Sequence, residues 1–235
     1  MTFGGFQKSS IIDFPDHLAA IVFTKGCNFR CPFCFNRELV LGESPTIKQT
    51  EILSFLKKRK KILDGVVITG GEPSLQEDLI EFIKKIKKLR FAVKLDTNGS
   101  SPDFIKGLLK KPLIDYVAID YKVPLRLYQE TVKSDSFDSA YLIKTLKLVL
   151  KSGLLLELRT TIVPGIHDHS TLVEMAKEIK EIVGKREIPW YWQNFQPKNC
   201  LDAEFTKKKP FTKAEIEELL KTVQKFYPQA SLRVS

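Results

Sequence analysis

Three of the chain's four cysteines, Cys27, Cys31 and Cys34, stand within the segment Lys25–Asn36, KGCNFRCPFCFN. Thiolates are soft ligands, suited to zinc and to iron–sulfur clusters. The C-x3-C-x2-C spacing follows directly on a β-rich run, so the three sulfurs sit in a loop and can converge on one centre; on a strand they would alternate in direction. A closed structural zinc site takes four ligands. The motif supplies three, and the other candidates, Cys200, His17, His167 and His169, are distant from it or fall outside its spacing. A [4Fe–4S] cluster held by three cysteines leaves one iron open to a substrate or cofactor, whereas clusters that only carry electrons normally use four. The loop therefore points to cluster chemistry. The competing readings are a three-cysteine zinc site completed by a histidine and three buried thiols packed as small apolar groups.

Four further polar clusters punctuate the chain: GGEP at 70–73, DTNG at 96–99, DYK at 120–122 and QNFQP from Gln193. Each falls at the end of a run rich in β-branched or aromatic residues. Six such runs are expected as strands: Leu18–Thr24, Gly65–Thr69, Phe91–Asp96, Tyr116–Asp120, Leu154–Val163 and Trp190–Phe195. Apolar residues at i, i+3, i+4 spacing predict helices over 46–63, 77–89, 102–110, 138–151, 170–183 and 212–226, with Ser170 and Thr212 as N-caps. Strand–helix alternation over six units predicts an α/β fold with a parallel sheet and right-handed crossovers. Six units are too few for a closed eight-stranded barrel, so the expected architecture is a partial, open (β/α)6 TIM-like barrel in a single domain, with a flat doubly wound sheet as the competitor. In either, the polar clusters share the carboxyl edge of the sheet, where sites form. Arg159, inside the fifth run, is charged where a buried strand should be apolar, and is expected to reach into the barrel mouth towards a carboxylate.

Composition bounds the rest. The chain has 235 residues, 43% hydrophobic and 28% charged, with a formal charge of +10. That is ordinary for a globular protein and excludes disorder and collagen-like repeats. No apolar run approaches the roughly 20 residues of a membrane span, and the N-terminus lacks the pattern of a signal peptide. Lysine runs at 57–61 and 84–88 lie where helices end and their cations meet the negative end of the helix dipole. Aromatic residues are not interleaved with them, so a nucleic-acid partner is not expected. Few cysteines, mostly clustered, indicate a reducing compartment, and a cytoplasmic setting is expected.

The segment from Cys27 to Cys34, with an aromatic residue before the third cysteine, resembles the signature of the radical S-adenosylmethionine (SAM) superfamily. Gly70-Gly71-Glu72-Pro73 stands where that family places its second motif. Together with GFQKSSIIDFPDHL at the start, LDTNG, DYK and RTTIVPG, the chain is similar to glycyl-radical-enzyme activating proteins, most of all those that activate anaerobic ribonucleotide reductase. The resemblance implies a radical SAM core over 1–235, with barrel units in 17–200 and a C-terminal helix and tail in 201–235. It implies a [4Fe–4S] cluster on Cys27, Cys31 and Cys34 whose open iron chelates S-adenosylmethionine, and a 5′-deoxyadenosyl radical formed by one-electron cleavage. Phe33 would lie against the adenine, and Asn36 would belong to the cofactor site. Gly70, Gly71 and Glu72 would receive the methionine ammonium. Asp96, Thr97, Asn98, Asp120 and Lys122 would contact the methionine or ribose, and two such aspartates can hold a monovalent cation. Arg159 and Gln193 would complete the set. The partners implied are a glycyl radical enzyme and an electron donor such as flavodoxin or ferredoxin, with no membrane. Two departures stand out: Phe35 replaces a histidine common after the third cysteine, and Gln193–Asn194 lack a histidine often found there. Cys200, His167 and His169 receive no role. The alternatives are a radical enzyme acting on a small molecule or peptide, and a non-catalytic metal module.

Overall fold

The computed structural model describes residues 3–134 and 136–233. Among these residues eight strands form one sheet: β1 (Phe3–Ser10), β2 (Ala19–Thr24), β3 (Gly65–Gly70), β4 (Ala92–Thr97), β5 (Tyr116–Asp120), β6 (Leu155–Ile162), β7 (Trp190–Asn194) and β8 (Ala230–Leu232). Nine α-helices connect or follow them: α1 (Arg37–Leu41), α2 (Gln49–Arg59), α3 (Leu79–Lys88), α4 (Pro102–Leu109), α5 (Tyr128–Val132), α6 (Ser139–Ser152), α7 (His169–Val183), α8 (Ala203–Thr206) and α9 (Lys213–Gln224), counted among the described residues. Every strand lies beside its neighbour in sequence. From β2 to β8 all pairs are parallel, while β1 runs antiparallel to β2. A doubly wound sheet reverses its strand order part-way; a sheet that keeps winding one way puts its helices on one side and curls towards a barrel. β1 and β8 end the order without pairing, so the barrel is open.

The six expected strands are β2 to β7, shifted by a residue or so at their ends. β1 and β8 were not expected. β1 carries two consecutive glycines and is broken by irregular register on both sides of its centre, which erases the alternation that marks a strand. A Cβ on Gly4 would lie 2.2 Å from Ser44 Oγ and 2.4 Å from Leu39, so glycine is required for the strand to sit there. β8 has three residues, and α1, α5 and α8 are likewise too short for a periodic signal. Thr212 caps α9 as expected, in a reciprocal box with Glu215. The cap of α7 is Asp168, not Ser170: its carboxylate accepts the Thr171 N–H at 2.8 Å, while the Asp168 N–H donates to the Thr171 hydroxyl at 2.8 Å.

Alternate residues of each strand face opposite ways. One set, including Val22, Ile68, Val93, Leu95, Ile119, Leu158 and Trp192, packs against the helices and is fully buried. The other faces the barrel interior. Its floor is closed by the loop 11–18, whose Phe14 joins Ala19, Ile21, Val67 and Tyr116 in a second apolar cluster. The basic last turns of α2 and α3 carry the expected lysine runs. No helix among the described residues is long and apolar enough to cross a membrane.

Candidate active site

The cysteine loop leaves β2 through Gly26, whose φ of +80° is a conformation that glycine adopts freely. Backbone bonds tie its far side to two other segments: Arg30 N–H donates to the Val132 carbonyl at 2.7 Å, Leu201 N–H to that of Cys34 at 2.9 Å, and Asp202 N–H to that of Pro32 at 3.0 Å. Burial pushes the Cys27 thiol up to about 12, with the Glu72 carboxylate adding to the effect; burial also lifts Cys31 to about 11 and raises Cys34. Thiolates here need a cation to be stable, and binding one releases their protons. A [4Fe–4S] cube seats each thiolate on a different iron, farther apart than donors that share one ion. The three thiols line a single cavity of about 270 Å³. Among the described residues, no three His, Cys, Asp or Glu side chains gather closely enough for one metal ion. The donor set suits a cluster better than a closed zinc site.

The Gly70–Gly71 pair serves the approach of two loops. A Cβ on Gly71 would lie 1.9 Å from the Gly26 carbonyl oxygen, and one on Gly70 would lie 2.4 Å from Thr24 N at a φ of +118°. Two backbone bonds close this seam, Gly71 N–H to Thr24 at 3.0 Å and Glu72 N–H to Gly26 at 2.8 Å. Glu72, fully buried, turns its carboxylate to the next loop. Oε1 accepts from Thr97 Oγ1 at 2.7 Å and Ser74 N–H at 3.0 Å, and Oε2 accepts from Asn98 N–H at 2.7 Å. Burial raises its carboxyl, and those donors work against the shift. Asn98 in turn donates to Asn28 Oδ1 at 2.9 Å, and Asn28 to Ser100 Oγ at 2.9 Å, which closes a ring back to the cysteine loop.

The inner wall from β4 to β6 is ionic. Arg159 bridges the two aspartates, reaching Asp96 Oδ2 at 2.7 Å and Asp120 Oδ1 at 3.0 Å. Lys122 pairs with Asp120 Oδ2 at 2.9 Å. One layer lower, Lys94 lies 3.0 Å from Asp96 and 3.1 Å from Glu157, and donates to the Asp13 carbonyl at 2.7 Å. Burial would raise the Asp120 carboxyl, but Lys122 and then Arg159 hold it at about 2; Asp96 is lowered against burial by Arg159 and Lys94. With these cations in place, charge balance at the aspartate pair does not call for the expected monovalent cation.

The cavity brings together the three cysteines with Phe33, Asn36, Gly70, Gly71, Asp96, Asn98, Asp120, Lys122, Arg159 and Gln193. Two expected contacts do not line it, Glu72 and Thr97, whose side chains bond to each other. Asn194 also points elsewhere, donating to the Phe211 carbonyl at 2.6 Å. Cys200 is buried, with its sulfur 3.8 Å from the Gln196 carbonyl. Sequence reasoning missed Lys94 and Glu157 beneath the site, and Gln7, Asp13, Thr69 and Thr161 on its walls. The signal for the first two was present: charged residues two apart in Lys94-Leu95-Asp96 and Glu157-Leu158-Arg159 mark one polar face of a buried strand.

The radical SAM superfamily pattern matches residues 21–186. Over 237 aligned residues the chain is 37% identical to a protein of Methanocaldococcus jannaschii named "Putative glycyl-radical enzyme activating enzyme", covering 97% of this chain and 94% of that one. Among solved structures, SuiB of Streptococcus suis superposes with a TM-score of 0.69 at 18% identity, over 91% of this chain and 48% of SuiB, so this chain spans about half of that protein's length. A domain of pyruvate-formate lyase-activating enzyme from Bacteroides vulgatus superposes with a TM-score of 0.56 at 14% identity, over 72% of this chain and 98% of that domain. At these identities the two structures speak for the partial-barrel fold alone. With the family pattern running through well over half of its length, the chain belongs to the radical SAM superfamily, enzymes that work with a [4Fe–4S] cluster and S-adenosylmethionine.

Proposed function

We propose that this radical SAM enzyme is an activase that installs a glycyl radical in a partner enzyme, such as an anaerobic ribonucleotide reductase. The observation that carries the reading is the 37% identity maintained over 97% of the chain with a protein named for that activity. When bound, the cluster and S-adenosylmethionine supply a one-electron cleavage of the sulfonium that gives methionine and a 5′-deoxyadenosyl radical. The chain's own residues do the rest. Cys27, Cys31 and Cys34 would hold the cluster. The ionic wall of Asp96, Asp120, Lys122 and Arg159 offers both signs of charge to a zwitterionic methionine, while Phe33 offers a ring face to the adenine. Glu72 and Thr97 hold the two loops in register and orient Asn98. The open side between β1 and β8 gives a partner's glycine loop a way in. With a partner's glycine seated there, its Cα hydrogen would be the atom given up to the 5′ carbon, so that the radical would end on the partner and the nucleoside would leave as 5′-deoxyadenosine. The electron comes from a reduced carrier of the flavodoxin or ferredoxin kind, in an oxygen-poor cytoplasm.

The test is anaerobic reconstitution with iron and sulfide, followed by S-adenosylmethionine, a reductant and a candidate glycyl radical enzyme. The expected result is 5′-deoxyadenosine together with a glycyl-radical doublet in electron paramagnetic resonance that needs the partner. Turnover of a small molecule or peptide without any such partner overturns the activase reading and leaves the superfamily assignment standing.

A further inference from the structure

Asp120-Tyr121-Lys122 crosses the rim of the cavity, and its backbone is held to an unusual degree. The Asp120 carbonyl accepts the Tyr128 hydroxyl at 3.1 Å, and the same hydroxyl oxygen accepts the Lys122 N–H at 2.7 Å. Tyr121 N–H donates to the Arg159 carbonyl at 2.9 Å, and the Tyr121 carbonyl accepts Thr160 Oγ1 at 2.5 Å. The last group, the Lys122 carbonyl, meets His167 Nε2 at 2.8 Å. His167 is 2% exposed, lies outside the cavity lining, and starts from the loop after β6. Its other nitrogen, Nδ1, accepts the Val163 N–H at 2.9 Å. A ring nitrogen that accepts carries no proton, so Nε2 must carry the one that the Lys122 carbonyl receives. The two bonds together are possible only for the neutral imidazole.

We propose that His167 is a positioning residue: as the neutral Nε2–H tautomer it fastens the Lys122 backbone to the loop after β6 and so holds the Lys122 ammonium on Asp120 at the cavity. That Lys122 then faces S-adenosylmethionine rests on the proposed function above; the fastening itself does not. Burial supports it by keeping the imidazole uncharged, with its protonation lowered to about 4. Leaving the Lys122 carbonyl without its donor would free the segment on which the ammonium rides, because a buried carbonyl without a partner seeks another arrangement.

Two substitutions separate the two bonds. Asparagine places an acceptor where Nδ1 lies and cannot reach Lys122; glutamine places a donor where Nε2 lies and gives up Val163. Hydrogen exchange read by mass spectrometry on the whole chain should show residues 120–128 exchanging about tenfold faster in His167→Asn, as the loss of one buried hydrogen bond allows. His167→Gln should keep the native rate there and loosen only the loop around Val163. Nitrogen NMR of the native chain should find Nε2 protonated and Nδ1 bare from about pH 8 down to about pH 5. In the reconstituted enzyme, His167→Asn and Lys122→Ala should weaken S-adenosylmethionine binding to a similar degree, with no further loss in the double variant. The proposal is overturned if His167→Gln exchanges as fast as His167→Asn over 120–128, if the ring is charged or carries its proton on Nδ1, or if the two binding losses add. If His167→Asn does not fold, the tautomer and the glutamine variant still decide. Should Lys122→Ala bind the cofactor normally while the exchange pattern holds, the fastening stands and only the cofactor role of Lys122 falls.

Discussion

At the level of Lys94 and Glu157, beneath the cavity, the two faces of the sheet are equally dry and chemically opposite. Along β4, Val93 and Leu95 are 0% exposed on the helix side, and Lys94, between them, is 0% exposed on the inner side. β6 repeats the arrangement with Leu158 outside and Glu157 inside, both 0% exposed. The outer layer is held by apolar area and close packing, which is non-directional and tolerant of small changes. The inner layer is held by matched charge: Lys94 serves Asp96 and Glu157, Arg233 reaches Glu157 at 3.2 Å, and the Tyr116 hydroxyl donates to Glu157 at 3.0 Å. Such a layer contributes little net stability compared with an apolar one, but it fixes where each charge stands. The chain thus uses one sheet for two purposes: the outside stabilises the fold and the inside sets up the site.

The sharpest way to break this comparison is Lys94→Met. It leaves Asp96 and Glu157 facing each other beneath the site with no ammonium between them, and should cost about 3–5 kcal/mol, the range for removing one partner of a buried pair. Denaturant unfolding followed by circular dichroism measures it. The double variant Lys94→Met, Glu157→Leu should recover most of that loss, since it removes the orphaned charge, and Arg233, at the chain's end and 17% exposed in its side chain, can turn to water. If the double variant is no better than the single one, charge matching is not what governs the inner face. Next comes Leu158→Ala on the outer face, expected to cost about 2–5 kcal/mol through lost burial and the cavity left behind. It should leave the affinity of the rebuilt enzyme for S-adenosylmethionine unchanged, whereas Lys94→Met should weaken it even under conditions where the variant is fully folded.

Acid should act on the two faces unequally. The apolar strand residues of the outer face, such as Val93, Leu95 and Leu158, have nothing to titrate, whereas His167, in the loop after β6 and outside the cavity lining, and Asp120, on the inner wall, both do. His167 holds its proton less well folded than free, so the stability that it contributes is complete above its ordinary value of 6.5 and is lost as pH falls from there to about 4. Asp120 is depressed from 3.8 to about 2, so its contribution persists above the first value and disappears as pH falls to the second. The shift at Asp120 is worth about 2 kcal/mol. Relative to His167→Gln, the native chain's unfolding free energy should therefore fall by an additional step between pH 6.5 and about 4, above the range in which the lowered carboxylates of Asp120, Asp96 and Asp168 take up protons. The absence of that additional step would show that His167 does not titrate with folding.

The outer face was the more legible in the sequence. Its strands read as β-rich runs because helix-facing residues are apolar, and the helices read from their own period; both follow from burial against water, which acts through residue type alone. The inner face was legible where a polar residue ended a strand, as at Asp96 and Asp120, or stood out within one, as Arg159 did. Lys94 and Glu157 passed unnoticed because each looks like a lone charge inside an apolar run, although Asp96 and Arg159, two residues on, already mark the same face. Glu72 shows a complementary gap: its residue type suits an ammonium, and only the fold adds that Thr97, Asn98 and Ser74 also donate to its oxygens, so that it ties two loops together. Glycine was ambiguous for a related reason: Gly70 and Gly71 need the space that two backbones share, and β1 hid behind Gly4 and Gly5.

The smallest effect separates the faces most cleanly. Ile68 sits on the outer side of β3, 0% exposed, with Val22 and Leu95 as its register neighbours. The next residue, Thr69, faces the cavity. Ile68→Val removes one methyl group from a packed layer and should cost about 0.5–1.5 kcal/mol in unfolding experiments. Because nothing charged is disturbed, that cost should be the same at pH 5 and pH 8 to within roughly half a kcal/mol, and S-adenosylmethionine binding should not change. A pH-dependent cost, or a loss of cofactor affinity from so small a change, would mean that packing on the helix side reaches through the strand to the ionic wall. The sheet would then have to be treated as one coupled layer, with its inner charges positioned by its outer packing.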